Sequence, residues 1–119
     1  MDFNSCRNKV MSLIDETSKS FGSQYALNKE KRDRLDKVCD GVGELIEGFD
    51  CEDFDVNVDN VTKQLTIAIV CDEMLFEYGR SHEFFKLIQL LSSFSFSKKG
   101  EESICVNLNI DDMWERVRE

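Results

Sequence analysis

The chain has 119 residues, 41% apolar and 33% charged, which is enough to bury the core of one domain and too apolar for a disordered tail. Its 15 Lys and Arg against 24 Asp and Glu leave a formal charge of −9, which opposes general attraction to a nucleic-acid backbone or an anionic membrane surface. Proline is absent, which argues against polyproline ligands and hinged linkers.

In residues 3 to 21, Phe3, Cys6, Val10, Leu13, Ile14 and Phe21 recur at steps of three and four, the spacing of one apolar helix face. Gly22 is the expected stop, since the residue after a helix often needs positive φ. Asn28 is placed to cap a second helix, in which Leu35, Val38, Cys39, Val42, Leu45, Ile46 and Phe49 form the strongest periodicity of the chain, ending at Gly48. The two faces are expected to zip together as an αα-hairpin over residues 1–48. Gly41 and Gly43 lie inside the second helix at a cost of about 1 kcal/mol each relative to alanine, which close packing or a kink would explain. The run from Gly41 to Ile46 is no dinucleotide fingerprint, because Ile46 takes the third glycine's place and no strand precedes it.

After Gly48 the period becomes two. Phe54, Val56 and Val58 alternate with Asp53, Asp55, Asn57 and Asp59, and Leu65, Ile67, Ile69 and Cys71 alternate with Thr66, Ala68 and Val70. Matching the apolar faces pairs Val58 with Leu65, Val56 with Ile67 and Phe54 with Ile69, which leaves Asn60 to Lys63 as a four-residue turn. Met74, Leu75 and Phe76 extend the second strand or begin the crossover. Gly79 breaks the pattern and Ser81 reads as an N-cap for a third helix, in which six of the eight residues from Phe84 to Leu91 are apolar. Such a helix needs cover on more than one side, so Phe84, Leu87, Ile88 and Leu91 are expected in the core or in a dimer interface.

A second hairpin follows, with Phe94 and Phe96 alternating with serines, and Ile104, Val106, Leu108 and Ile110 alternating with Cys105, Asn107 and Asn109. Pairing Phe96 with Ile104 and Phe94 with Val106 gives a three-residue loop, Lys99-Gly100-Glu101. Trp114 and Val117, at i and i+3 behind Asp111, suggest a short helix or tail over 111–119. The expected fold is one α+β domain of order ααββαββ(α): an αα-hairpin, a ββαββ unit over 51–110, and a mostly antiparallel sheet of four strands with helices on one face.

The opening Met1 to Arg7 lacks the basic start and apolar run of a signal peptide, and no stretch nears the ~18 apolar residues that span a bilayer. The five cysteines Cys6, Cys39, Cys51, Cys71 and Cys105 are odd in number and form no C-x-x-C pair, which fits reduced thiols in a cytoplasm better than a disulfide framework or zinc site. No cofactor or metal is expected.

Charge is uneven along the second helix, with five bases among residues 29 to 37 and eight acids without a base among residues 38 to 62, against the helix dipole. Residues 55 to 60 fail as a calcium loop, because Asn60 stands where glycine belongs and Val56 and Val58 make a strand. Asp53, Asp55, Asn57 and Asp59 share the polar strand face and are the candidate partner-binding surface, suited to a protein with a basic surface. Arg80, Ser81 and His82, within Gly79–Glu83 at a helix start, are the candidate anion or nucleotide site. A cysteine hydrolase built on His82 with Cys71 or Cys105, and a metal-dependent nuclease built on Asp53, Asp55 and Asp59, lack a supporting signature. The sequence therefore points to a small acidic cytoplasmic protein that works by binding another protein, as a homodimer, of the accessory, immunity or anti-defence type found in bacteria and phages. Direct binding to nucleic acid or membrane is not expected.

Overall fold

The computed structural model describes residues 3–46, 51–72 and 81–117. The chain runs α1 (Phe3–Phe21), β1 (Tyr25–Leu27), α2 (Lys29–Ile46), β2 (Cys51–Val58), β3 (Leu65–Asp72), α3 (Ser81–Ile88), β4 (Ser93–Lys98), β5 (Ser103–Ile110) and β6 (Trp114–Arg116). Four strands form an antiparallel sheet in the order β2-β3-β5-β4, and β1 pairs antiparallel with β6 in a small second sheet. The α+β class and the two hairpins read from the sequence are those of the structure.

Period-two patterning sets one face of the large sheet against the helices. Phe54, Val56, Leu65, Ile67, Ile69, Cys71, Val106, Leu108 and Ile110 are buried with Val10 and Ile14 of α1 and Leu35, Val38, Cys39, Val42 and Leu45 of α2 in one core. The expected stop at Gly22 is found with φ +77°, a conformation that a side chain would strain. The Asn28 side chain accepts the Lys31 N–H at 3.2 Å, the N-cap expected for α2. The charges of α2 are paired locally, Arg32 with Asp36 at 2.9 Å and Arg34 with Glu30 at 3.2 Å, while Arg7 of α1 reaches Asp36 at 3.5 Å and also Asp40. Those pairs relieve part of the unfavourable dipole arrangement and tie the two helices together at their rim.

The first hairpin has the expected register, Phe54 opposite Ile69, Val56 opposite Ile67 and Val58 opposite Leu65. In the second, Phe94 lies opposite Leu108 and Phe96 opposite Val106, two residues from the expected pairing. The loop still holds three residues, but they are Gly100, Glu101 and Glu102, closed by a bond from the Lys99 N–H to the Ser103 carbonyl at 2.9 Å. A shift of two keeps every side chain on its own face, so face matching alone cannot distinguish these registers.

Within the segment expected as a short helix or tail, Trp114–Arg116 form a strand. Met113 and Trp114 are buried while Glu115, Arg116 and Val117 are exposed, and Asp112 takes φ +57° just before the strand begins. The strand forms because β1, a three-residue segment between the helices, offers an edge: Leu27 lies opposite Trp114 and Tyr25 opposite Arg116. Additional bonds run from the Asn28 N–H to the Met113 carbonyl and from the Val117 N–H to the Gln24 carbonyl, both 2.8 Å. The αα-hairpin is thus joined through a strand, and the last strand fastens it. Trp114 seals the joint, its indole N–H donating to the Ser18 hydroxyl at 2.9 Å and its ring edge-on to Phe21 at 5.2 Å.

Helix α3 is covered on fewer sides than its composition demands. Phe84 and Leu87 are buried and Ile88 is half-buried, but Phe85 is 59% exposed, and Leu91 packs on the core from beyond the helix end. Gly41 explains how α3 approaches α2 so closely, since a Cβ there would stand 3.0 Å from Leu87 Cδ1. Leu87→Ala is expected to cost about 2–5 kcal/mol by opening a cavity, and Gly41→Leu about 1–3 kcal/mol by overpacking the same contact. Urea unfolding of both variants, with lowered midpoints and unchanged slopes, checks this.

Candidate functional site

The sheet face turned away from the helices carries the polar residues of the alternation, and the pairing aligns them in rows across all four strands. One row runs Asn57, Thr66, Asn109, Ser93, and the next runs Asp55, Ala68, Asn107, Ser95. The Thr66 hydroxyl donates to Asn109 Oδ1 at 2.8 Å, and the Asn109 amide donates to the Ser93 hydroxyl at 3.0 Å. In the second row the Asn107 amide reaches the Ser95 hydroxyl at 3.4 Å. Asp55, Asn57, Ser93 and Ser95 are exposed, while Thr66, Ala68, Asn107 and Asn109 are half-buried between neighbouring strands. The bonds hold Thr66, Asn109 and Ser93 in one row, and Asn107 and Ser95 in the next, as ordered donors and acceptors. Asn107 and Asn109 extend the face beyond the residues singled out from sequence, and their alternation with Val106 and Leu108 was the signal that marks them.

The four candidate partner-binding residues have different roles. Asp55 and Asn57 stand on this face. Asp55 has Lys9 Nζ of α1 at 3.5 Å, a solvent-exposed pair that contributes little to stability. Asp53 opposes Val70 in the ladder, and its side chain lies outside the described residues. Asp59 serves the turn: its carboxylate accepts the N–H groups of Val61 at 2.8 Å and Thr62 at 2.9 Å. The backbone groups of Thr62 and then Val61, with Lys63 nearby, hold its carboxyl below the usual value of 3.8. Lys63 in turn lays its ammonium over the rings of Phe21 at 4.0 Å and Tyr25 at 4.9 Å, so this turn rests on the end of α1.

At the candidate anion site, His82 is exposed, Gly79 and Arg80 lie outside the described residues, and so do the side chains of Ser81 and Glu83. Cys71 is buried on the inner sheet face and Cys105 is half-buried on the outer one, opposite Val70. Cys39 is fully enclosed under the Arg7–Asp36–Asp40 cluster, and its burial pushes the thiol up to about 11 despite the nearby Arg7 guanidinium. Among the described residues, no three His, Cys, Asp or Glu side chains gather into a metal-sized cluster, and no helix is long and apolar enough to cross a membrane. An open groove of about 720 Å³ lies along Asn28, Lys31, Trp114 and Arg116, but the Asn28 amide there already donates to Glu115 at 2.7 Å. The chain matches no family model, and no curated protein and no solved structure matches it.

The depressed Asp59 carboxyl links stability to pH. Its contribution is complete above the unfolded value near 3.8 and is lost as pH falls through the lower folded value. Asp59→Ala is expected to lower the melting temperature at pH 7 and to flatten the decline below pH 4. Asp59→Asn should keep most of the neutral-pH stability, since its amide oxygen accepts the same two N–H groups, and should also lose the acid-side dependence. Melting scans across pH check both variants.

The thiols give a second expectation. With a small aromatic disulfide reagent near pH 8, Cys105 should react in the native protein while Cys39 and Cys71 react only on unfolding. Mass mapping of the modified peptides reads this directly.

Proposed function

We propose that the protein is a binding module, and that the two polar rows of the outer sheet face receive another protein. The observation that carries this reading is the alignment of two polar rows from Asn57 and Asp55 at one edge to Ser93 and Ser95 at the other, with hydrogen bonds linking Thr66, Asn109 and Ser93 in one row and Asn107 and Ser95 in the other. Groups already fixed by their neighbours lose little conformational freedom on contact, so such a face favours association with a flat polar surface. The net charge of −9 supports a basic partner, steered on by long-range attraction that weakens as salt rises. In a host cytoplasm this describes a regulatory or accessory protein that acts by occupying its target.

The reading is tested by affinity capture from the native host with the wild type and with the Asp53→Asn, Asp55→Asn double variant, at low and high salt. Wild type should recover a basic protein that high salt reduces and the variant recovers poorly, while the melting temperature of the variant stays near wild type. Recovery of no basic protein, or undiminished and salt-insensitive recovery by the variant, overturns it.

A further inference from the structure

The two polar rows of the outer face differ at one position of β3. In the first row Thr66 donates its hydroxyl proton to Asn109 Oδ1 at 2.8 Å, and the Asn109 amide donates onward to Ser93 at 3.0 Å. In the second row Asn107 stands between β3 and β4 as Asn109 does, and its amide reaches Ser95 at 3.4 Å. The β3 residue beside it is Ala68, which has no side-chain donor to give. Among the described residues Asn107 Oδ1 has only the Cys105 thiol, a weak donor at 3.9 Å. On the other side of Ala68 stands Asp55, one of whose oxygens accepts the Val56 N–H at 2.9 Å. The Ala68 methyl thus floors a notch with a carboxylate on one flank and an amide oxygen on the other. The backbones that carry these flanks lie two strand spacings apart, about 9.5 Å.

We propose that this notch seats one arginine side chain of the docked protein, its guanidinium bridging the Asp55 carboxylate and Asn107 Oδ1 over the Ala68 methyl. The inference rests on the outer face being the docking surface. A guanidinium is planar, always charged and carries N–H groups on opposite sides, so it meets both acceptors at once. One of those N–H groups takes the place that the Thr66 hydroxyl holds in the first row. A lysine ammonium is a compact, strongly hydrated point charge and satisfies one flank better than two. The base nearest Asp55 is Lys9 of α1, at 3.5 Å, which also donates to the Phe54 carbonyl at 2.8 Å. That pair is solvent-exposed and contributes little, so an incoming guanidinium can displace it.

The seat is tested on the purified chain by NMR titration with the blocked tripeptides Gly-Arg-Gly, Gly-Lys-Gly and Gly-citrulline-Gly. The arginine peptide should move the Asn107 side-chain amide and the Ala68 backbone amide saturably, and more weakly as salt rises. The lysine peptide should bind roughly threefold more weakly, and the uncharged citrulline peptide should leave both signals in place. Ala68→Thr supplies the hydroxyl that Asn107 lacks. It should abolish the shifts with the melting temperature unchanged or raised, since threonine suits a strand. Asp55→Asn should weaken arginine binding roughly tenfold, as loss of a charge-assisted bond. Absence of arginine-dependent shifts at Asn107 and Ala68, equal binding of the citrulline peptide, or undiminished binding by Ala68→Thr overturns the seat. Affinity capture reports separately. A captured basic protein without these shifts overturns the seat and leaves the docking face, whereas saturable shifts without a captured protein uphold the seat and overturn the protein partner.

Discussion

An antiparallel sheet with one apolar face has to be roofed, and most of this structure follows from how that is done. The inner sides of β3 and β5 present Leu65, Ile67, Ile69, Val106, Leu108 and Ile110, each at most 3% exposed. A buried aliphatic side chain of this size contributes about 1.5–3 kcal/mol, so this face outweighs any single polar contact on the surface. The roof is the pair α1 and α2, whose apolar stripes meet the sheet through Val10, Ile14, Leu35, Val38 and Val42. Placing the helices on one side leaves the other to the polar half of the alternation, which makes the candidate binding face a by-product of core formation.

The helices are fastened at the end where the chain joins them, and the smaller sheet provides the fastening. β1 and β6 join segments far apart in the sequence, Tyr25 with Arg116 and Leu27 with Trp114, and Trp114 closes the joint against Phe21 and Ser18. The β2–β3 turn leans on the same place through Lys63, so the aromatic end of α1 is where three distant segments converge. Asp59 matters there as the residue that shapes this turn. An acidic side chain in a polar strand pattern is thus not by itself a contact residue: its local backbone partners decide whether its charge faces outward or is held in a turn.

The two edges of the sheet differ in chemistry. One edge is charged, bulged and touched by a lysine, and the other is neutral, regular and aromatic. Net negative charge keeps copies apart in general. Phe84 backs β4 from α3, linking the edge to the core through Leu87 and its close approach to Gly41.

Local chemistry determined much of this molecule. Periods of 3.6 and two residues marked both long helices and both hairpins, Gly22 and Asn28 marked the ends that bound them, and face matching set the register of the first hairpin, because each signal lies within a few neighbouring residues. The polar face was legible for the same reason, as the complement of the apolar one. Tertiary structure decided the rest. β1 and β6 are three residues each and have no period to display, so they exist as strands only because each supplies the other's edge. The register of the second hairpin depends on which of two face-compatible alignments the loop and β5 accept. The duty of Asp59 rests on the turn geometry around it, and the place of β4 at the end of the order β2-β3-β5-β4 among the described strands rests on its pairing with β5. Strand order is fixed by long-range pairing, which no local pattern encodes.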